Sequence, residues 1–378
     1  MLYLSPETEV LIVGGGPAGL AAAIAARAEG LDALVVDRAR PPIDKACGEG
    51  LMPDGLALLR DLGVRLDPER LRPFHGIRYL DGDVVAEGRF PAGPGAGIRR
   101  LDLHRALVRR AEEAGVRLRW RTRVDGLTDG GAVTDAGPIA ARFVVGADGL
   151  RSRVRRWAGL AGPPPDPRRG RFGVRRHFAV EPWSDCVEVY WAEGCEAYVT
   201  PVAGREVGVA MLWSGRKASF DDLLARFPRL GDRLRGAPAA SRDRGAGPLC
   251  QKVRRVARGR LALVGDASGY VDAITGEGLS LAFHQAKALA QALRRGDLSL
   301  YARRHRRIAL LPDALTRLLL WVEKRPPLRH RLIRAFAREP ALFSRLLALH
   351  ARALPARTVV PLAPRLLWRL AFSPGPGS

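Results

Sequence analysis

The chain opens on a continuous apolar run, Val10-Leu11-Ile12-Val13, fit for a strand buried on both faces. Gly14-Gly15-Gly16-Pro17-Ala18-Gly19 follows, then an alanine-rich stretch from Leu20 to Ala28 that predicts a helix closed by Gly30. Ala33-Leu34-Val35-Val36-Asp37 predicts the second strand. Leu103, Leu107 and Ala111 recur at helical spacing and predict a helix over about 101–114. Strand-like stretches follow at 117–124 and 143–145. Between Phe172 and Trp213 the pattern changes to alternation, in FGVRRHFAV, CVEVYWA, EAYVTPV and EVGVAMLW. Four such strands in succession predict an antiparallel sheet. The apolar strand Leu261-Ala262-Leu263-Val264 restores the first pattern, and a turn at Gly276-Glu277-Gly278-Leu279 opens a helix to about Arg294. The remainder reads as helix broken by Pro312, Pro326-Pro327, Pro340, Pro355, Pro361 and Pro364. No internal repeat is present.

Strand, glycine turn, helix, strand and terminal acid at the start form a βαβ dinucleotide fingerprint in its required context. Gly14 permits the tight turn, Gly16 lets a pyrophosphate approach the backbone, and Gly19 lets helix and strand pack closely. The helix N-terminus adds free N–H groups and the positive end of its dipole. Asp37 stands where a carboxylate accepts from ribose hydroxyls, and an acid there suits an unphosphorylated ribose. NAD and FAD sites share this motif.

The 378 residues are 47% hydrophobic and 27% charged, which excludes disordered and fibrous classes. Four separated cysteines, with no CxxC pair, give neither a disulfide framework nor a zinc site and fit a reducing, cytoplasmic compartment. No metal site is expected. Neither a signal peptide nor a membrane span is expected, because the start lacks a cationic region and no 18-residue apolar run occurs. Net charge is +23, yet only five of the 62 basic residues are lysine. Such an arginine excess, beside abundant Ala, Gly and Pro, is what a biased base composition produces. No zinc-finger spacing or aromatic RNA-binding strand supports a nucleic-acid partner. Residues 301–378 hold 16 Lys/Arg against Asp313, Glu323 and Glu339. Arginines alternate there with LTRLLLWV, LFSRLLALHARAL and LAPRLLWRL, and with Trp321 and Trp368. Short helices of that kind suit peripheral contact with an anionic membrane, at the inner membrane surface, or a soluble helical cap with solvated arginines.

Three motifs in order, GGGPAG with Asp37, VVGADGLRSRVR at 144–155 and LALVGDASGYVDAITGEGLSLAF at 261–283, resemble the FAD-dependent oxidoreductases that include p-hydroxybenzoate hydroxylase and geranylgeranyl reductase. The likeness runs from about Val10 to Arg294. It implies a doubly wound, Rossmann-like α/β FAD domain with an antiparallel substrate sheet, followed by a helical C-terminal region. The expected division is 1–70, 98–160 and 250–300 for the FAD domain, 71–97 and 161–249 for the substrate domain, and 301–378 for the basic helices. The resemblance further implies non-covalent FAD, held by Gly14, Gly15, Gly16, Pro17, Ala18 and Gly19 at the pyrophosphate and by Asp37 and Arg38 at the ribose side. Arg100 is expected at the phosphate-ribitol region, Val124 at adenine, and Asp148 and Gly149 at FAD or a nicotinamide donor. Asp266 is expected at a ribityl hydroxyl, and Gly276, Glu277, Gly278 and Leu279 at the flavin pyrimidine edge.

Aromatic hydroxylases carry His after GDA-x; here Gly269-Tyr270 stands there, closer to the geranylgeranyl reductase pattern. The segment Lys45-Ala46-Cys47-Gly48-Glu49-Gly50 also resembles that group, and similar segments occur in flavin halogenases and lipid-modifying monooxygenases. Cys47 is a candidate beside the flavin or a packing residue in a glycine loop; Glu49 is a candidate proton donor or a loop hydrogen-bonder. His177 is expected to be structural or solvent-facing, and His284 to be packed in the core. Tyr190, Trp191, Tyr198 and Trp213 are read as core or as a substrate wall. The expected function is NADPH- or NADH-driven monooxygenation of a lipophilic or aromatic small molecule. The alternatives are reduction of isoprenoid double bonds, and a non-catalytic lipid or prenyl binder.

Overall fold

The computed structural model describes residues 6–164, 166 and 170–354; LAPRLLWRL, Trp368 and the prolines at 355, 361 and 364 lie outside the described residues. Thr8–Val13 stands at the centre of a parallel sheet, flanked by Ala33–Asp37 and Gly137–Gly146, with Arg117–Trp120 and Leu261–Leu263 outside them. Register pairs Val10 with Ala33 and Phe143, and Ile12 with Val35 and Val145, so one apolar row faces the helices, while Leu11, Leu34 and Val144 face the opposite side against Val124, Ala132, Ile139 and Val154. Helix α1 (Pro17–Ala28) is alanine-rich and buried over most of its length, which lets it lie close to the sheet. α2 (Pro53–Asp61) and α3 (Arg100–Glu113) join it on one face, and α4 (Arg153–Trp157) follows the second motif. The expected strand over 117–124 is two strands, Arg117–Trp120 and Val124–Thr128, because Arg121 turns the chain at φ 58°.

A second sheet runs in the order Arg244–Ala246, Arg171–Phe178, Glu206–Ser214, Cys195–Val202, Val187–Ala192, Gly76–Asp81, Val84–Arg89. The four alternating segments pair antiparallel as expected. One junction departs from that expectation: Gly76–Asp81 joins Val187–Ala192 in parallel, because a hairpin from early in the chain docks on a sheet built much later. α5 (Phe220–Leu224) and α6 (Pro228–Arg233) cover its outer face.

α7 (Gly278–Arg294) returns to the first layer and packs on α1. α8 (Leu298–Glu323), α9 (Pro326–Arg338) and α10 (Pro340–His350) complete the described chain, and α9 and α10 pack on the edge strand Val84–Arg89. Pro312 does not break its helix, contrary to the sequence expectation. α8 runs through it for 26 residues. Proline leaves the carbonyl four residues earlier without a donor. That carbonyl, on Ile308, instead accepts from Arg352 Nη2 at 2.7 Å. No helix among the described residues is long and apolar enough to cross a membrane.

Arg329 of α9 anchors the cap to the sheet. Its Nη2 and Nε donate to Asp81 Oδ1 at 2.9 Å and Oδ2 at 3.2 Å, and both side chains are buried. Arg329→Met leaves the buried Asp81 carboxylate without its guanidinium, facing only His330 at 3.5 Å among the described residues, and is expected to cost about 3–5 kcal/mol in urea unfolding. The double variant Arg329→Met/Asp81→Leu should recover most of that loss. Equal destabilisation in both variants would show that the pair is not what holds α9 in place.

Candidate functional site

Between the two sheets lies a cavity of about 1670 Å³. One end is walled by the glycine turn. Gly14 has φ 116°, and a Cβ there would stand 2.4 Å from the Ala147 carbonyl oxygen; a Cβ on Gly19 would stand 1.9 Å from the Gly14 carbonyl oxygen. Gly16 differs, since its Cβ would meet nothing nearer than Arg100 Nη2 at 3.9 Å and would point into open space. Gly15 is fixed from both sides: its N–H donates to Asp37 Oδ2 at 2.7 Å, and its carbonyl pairs with His104 Nε2 at 2.8 Å. Burial pushes the His104 imidazole below its ordinary pKa, so the ring is neutral and donates from Nε2. The other Asp37 oxygen accepts from the Ala39 N–H at 2.8 Å.

α1 starts at Pro17 with no side-chain cap and no acid in its first turn. Beside it the buried Arg100 leaves Nε without a partner. A free helix N-terminus, a buried guanidinium with an unpaired N–H and a side-chain-free backbone at Gly16 make an anion site. These residues therefore fit the pyrophosphate of a dinucleotide.

The other two motifs converge on the same cavity. Asp148 Oδ2 caps α4, accepting from the N–H groups of Arg153 at 2.6 Å and Val154 at 3.1 Å, while Oδ1 has no partner. Asp266 pairs with Lys45 at 2.6 Å; burial pushes its carboxyl up, but the Lys45 ammonium, with Arg100 and Arg155, holds it below its usual value. Arg155, which sequence reasoning passed over, joins the motifs: it donates to the carbonyls of Ala267 at 3.0 Å and Leu150 at 2.8 Å and to Gln251 Oε1 at 2.9 Å. Its only sequence signal was its place within VVGADGLRSRVR.

Of the expected cofactor residues, Gly14, Gly16, Pro17, Ala18, Asp37, Arg38, Cys47, Arg100, Val124, Asp148, Gly149, Asp266, Gly276, Gly278 and Leu279 line the cavity. Gly15, Gly19 and Glu277 stand behind its wall. Cys47 is half-buried, and its sulfur accepts from the Glu49 N–H at 3.4 Å. Glu49 is buried with φ 60°; Oε1 accepts from the Arg100 N–H at 2.8 Å and Oε2 pairs with His177 Nε2. His177 is thus not solvent-facing: it is wholly buried, and its Nδ1 meets Ser241 Oγ at 2.8 Å. His284 is not in the core either. It is half-buried, 3.5 Å from Asp54, because it projects from α7 toward α2 rather than toward the sheet.

The far end of the cavity is apolar, formed by Tyr79, Val189, Leu212, Leu319, Phe336 and Phe343 among others. Of the four aromatics singled out, Tyr198 lines it. Tyr190 and Trp213 point to the opposite face of the sheet, and Trp191 packs beneath α9. Leu318 and Trp321 of α8 also line the cavity while remaining 53% and 48% exposed, which marks an apolar rim.

Residues 7–192 match the model of the FAD binding domain family. Digeranylgeranylglycerophospholipid reductase 1 of Methanothermobacter thermautotrophicus is 30% identical, over 74% of this chain and 75% of the relative. 6-Methylpretetramide 4-monooxygenase of Streptomyces rimosus is also 30% identical, over 78% of each. Among solved structures, a flavoprotein/dehydrogenase from Cytophaga hutchinsonii superposes with a TM-score of 0.79 at 18% identity, covering 91% of this chain and 92% of the other.

The glycine geometry separates two substitutions. Gly19→Val is expected to abolish folding or lower the melting temperature by more than 10 °C, since a Cβ there overlaps backbone. Gly16→Val, with φ −74° and open space before it, should melt within a few degrees of the parent. Thermal scans of both decide the matter; similar losses in the two would refute the close-approach assignment.

Proposed function

The chain belongs to the FAD-dependent oxidoreductases of the p-hydroxybenzoate hydroxylase and geranylgeranyl reductase superfamily, and on that premise we propose that it uses NADPH or NADH to reduce a long, lipophilic substrate. The observation that carries this reading is the continuity of one cavity from the glycine turn to an apolar chamber roofed by α8–α10. Its volume exceeds the roughly 300–1,000 Å³ of a usual small-ligand site, leaving room for a dinucleotide and a second, apolar molecule. Identity to an isoprenoid-lipid reductase supports the substrate class. A second reading, monooxygenation of an aromatic or lipophilic molecule, is supported by the equal identity to a monooxygenase.

FAD, when bound, supplies the two-electron chemistry. The chain does the rest. The α1 N-terminus, Gly16 and Arg100 receive the pyrophosphate, and Asp37 with Arg38 faces the ribose. Val124 meets adenine. Asp266, already paired with Lys45, offers its free carboxylate capacity to the ribityl chain. Asp148 and Gly149 border the same crevice, and the turn before α7 faces the pyrimidine edge. Glu49, spent on Arg100 and His177, holds the phosphate-binding arginine in place rather than serving as an acid. Cys47, which lines the cavity, is the candidate for substrate contact. The apolar chamber orients the substrate and excludes water.

Purified protein is expected to be yellow and to release FAD on denaturation, while Gly16→Val should fold and stay colourless. Turnover of NADPH with polyprenyl substrates, with and without oxygen, then separates the readings by product mass. Two added hydrogens without oxygen mark the reductase; one added oxygen marks the monooxygenase.

The rim residues Leu318 and Trp321 lie among the arginines of α8, with Arg317 and Arg325 beside them in sequence. That mixture supports contact with an anionic membrane in which such a substrate dissolves. Co-sedimentation with vesicles should require anionic lipid and weaken with salt. Leu318→Ser/Trp321→Ser should lose it; equal binding to neutral vesicles would make α8 an ordinary cap.

A further inference from the structure

His350 closes α10, the last helix described, and reaches back to the turn that precedes α7. Its Nδ1 lies 2.8 Å from Glu277 Oε1 and its Nε2 lies 2.9 Å from the Thr275 carbonyl oxygen. Both partners are acceptors. Against an ionised Glu277, a neutral imidazole, with its one N–H, would set a lone pair against one of these oxygens, whereas the imidazolium satisfies both. The side chains are 11% and 6% exposed, and the imidazole ring itself borders the cavity. Among the described residues Glu277 Oε2 is buried and has no hydrogen-bond partner. The same turn is tied to α8 through Thr275 and Thr316, whose hydroxyls meet at 3.3 Å.

We propose that His350 is a positioning residue: as an imidazolium it clamps the Thr275–Gly278 turn to the C-terminal helices, so that the roof of the apolar chamber and the turn facing the cofactor hold their places together. The second half of this statement rests on the FAD reading above; the clamp itself does not. Without the clamp, the turn keeps the Thr275–Thr316 contact and the Gly276 N–H bond to the Ala273 carbonyl at 2.9 Å, but Gly276, at φ 70° with nothing near its Cβ position, has no side-chain packing to hold it. Loss of the proton also strips a buried carboxylate of its counter-ion, which drives Glu277 out of its present place.

The charged surroundings set the direction with pH. Burial alone lowers the His350 pKa, but the Glu277 carboxylate and the two hydrogen bonds outweigh it and the value is raised. Asp54 of α2, with His284 beside it, adds to the negative field. From α8, Asp313 faces Glu277 and is itself faced by Arg317. A raised imidazole pKa means the clamp is complete at low pH and is lost as pH rises through that value.

Two measurements on the full-length protein test this. Histidine NMR in the FAD-free state, with His350 assigned by its absence in His350→Gln, should show titration above the ordinary value of about 6.5. The titration should fall toward or below that value in Glu277→Gln. An unshifted imidazole, or one indifferent to Glu277→Gln, overturns the clamp. FAD affinity by fluorescence quenching from pH 6 to 9 should weaken several-fold with rising pH in the parent. His350→Gln should bind weakly at every pH, with melting and circular dichroism confirming its fold. Identical pH profiles in parent and variant overturn the coupling to the cofactor. A parent that binds no FAD at any pH overturns the FAD reading instead, and the imidazole titration still judges the clamp.

Discussion

The crevice exists because two backbone segments approach more closely than any side chain allows. Gly19, inside α1, rests against the Gly14 carbonyl, and Gly14 rests against Ala147. These contacts draw the N-terminus of α1 down onto the carboxyl ends of the central strands, where a parallel sheet leaves an opening. The direction of that helix then places Arg100, Asp37 and Asp148 around one space. A methyl group at Gly19 would push the helix off and scatter the rest.

Part of the arginine excess is buried and structural rather than surface charge. Arg155 ties the second motif to the third, Arg329 pins the helical cap, and Arg171 sits buried among Glu196 at 2.7 Å, Asp272 at 3.0 Å and Glu323 at 3.7 Å. Three carboxylates around one guanidinium leave charge that the interior cannot hold. Burial, countered by Arg171 and reinforced by Glu323, pushes Glu196 up to about 7, so the cluster keeps a proton near neutrality. That proton's contribution to stability is complete below the ordinary carboxylate value and is lost as pH rises from there through about 7. The guanidinium suits such places because it keeps its charge and offers several donors in one plane.

The chamber is made by elements that come from distant parts of the chain. Its floor is the second sheet, completed by a hairpin from residues 76–89, and its roof is the run of helices after residue 298. The exposed rim at Leu318 and Trp321 arises where α8 passes over the opening. The mixture of polar and apolar walls thus reflects two layers meeting, each with its own core.

Local pattern alone determined the βαβ unit, the change from helical to alternating periodicity, and the three motifs with their glycines and acids. Each of these is written within a few residues, because strand, turn and helix preferences act over that range. Glu49 and His177, 128 residues apart, meet only when the second sheet covers the glycine loop. His350 and Glu277 meet only when the end of α10 folds back onto the turn that precedes α7. Pro312 leaves its helix unbroken because the carbonyl it orphans, on Ile308, finds Arg352, 44 residues farther on. Such pairings depend on packing between layers, which sets distances that no spacing in sequence encodes. What the sequence determined was therefore the cofactor-binding frame; which buried charges face one another, and where the apolar chamber opens, was decided by the way the layers close.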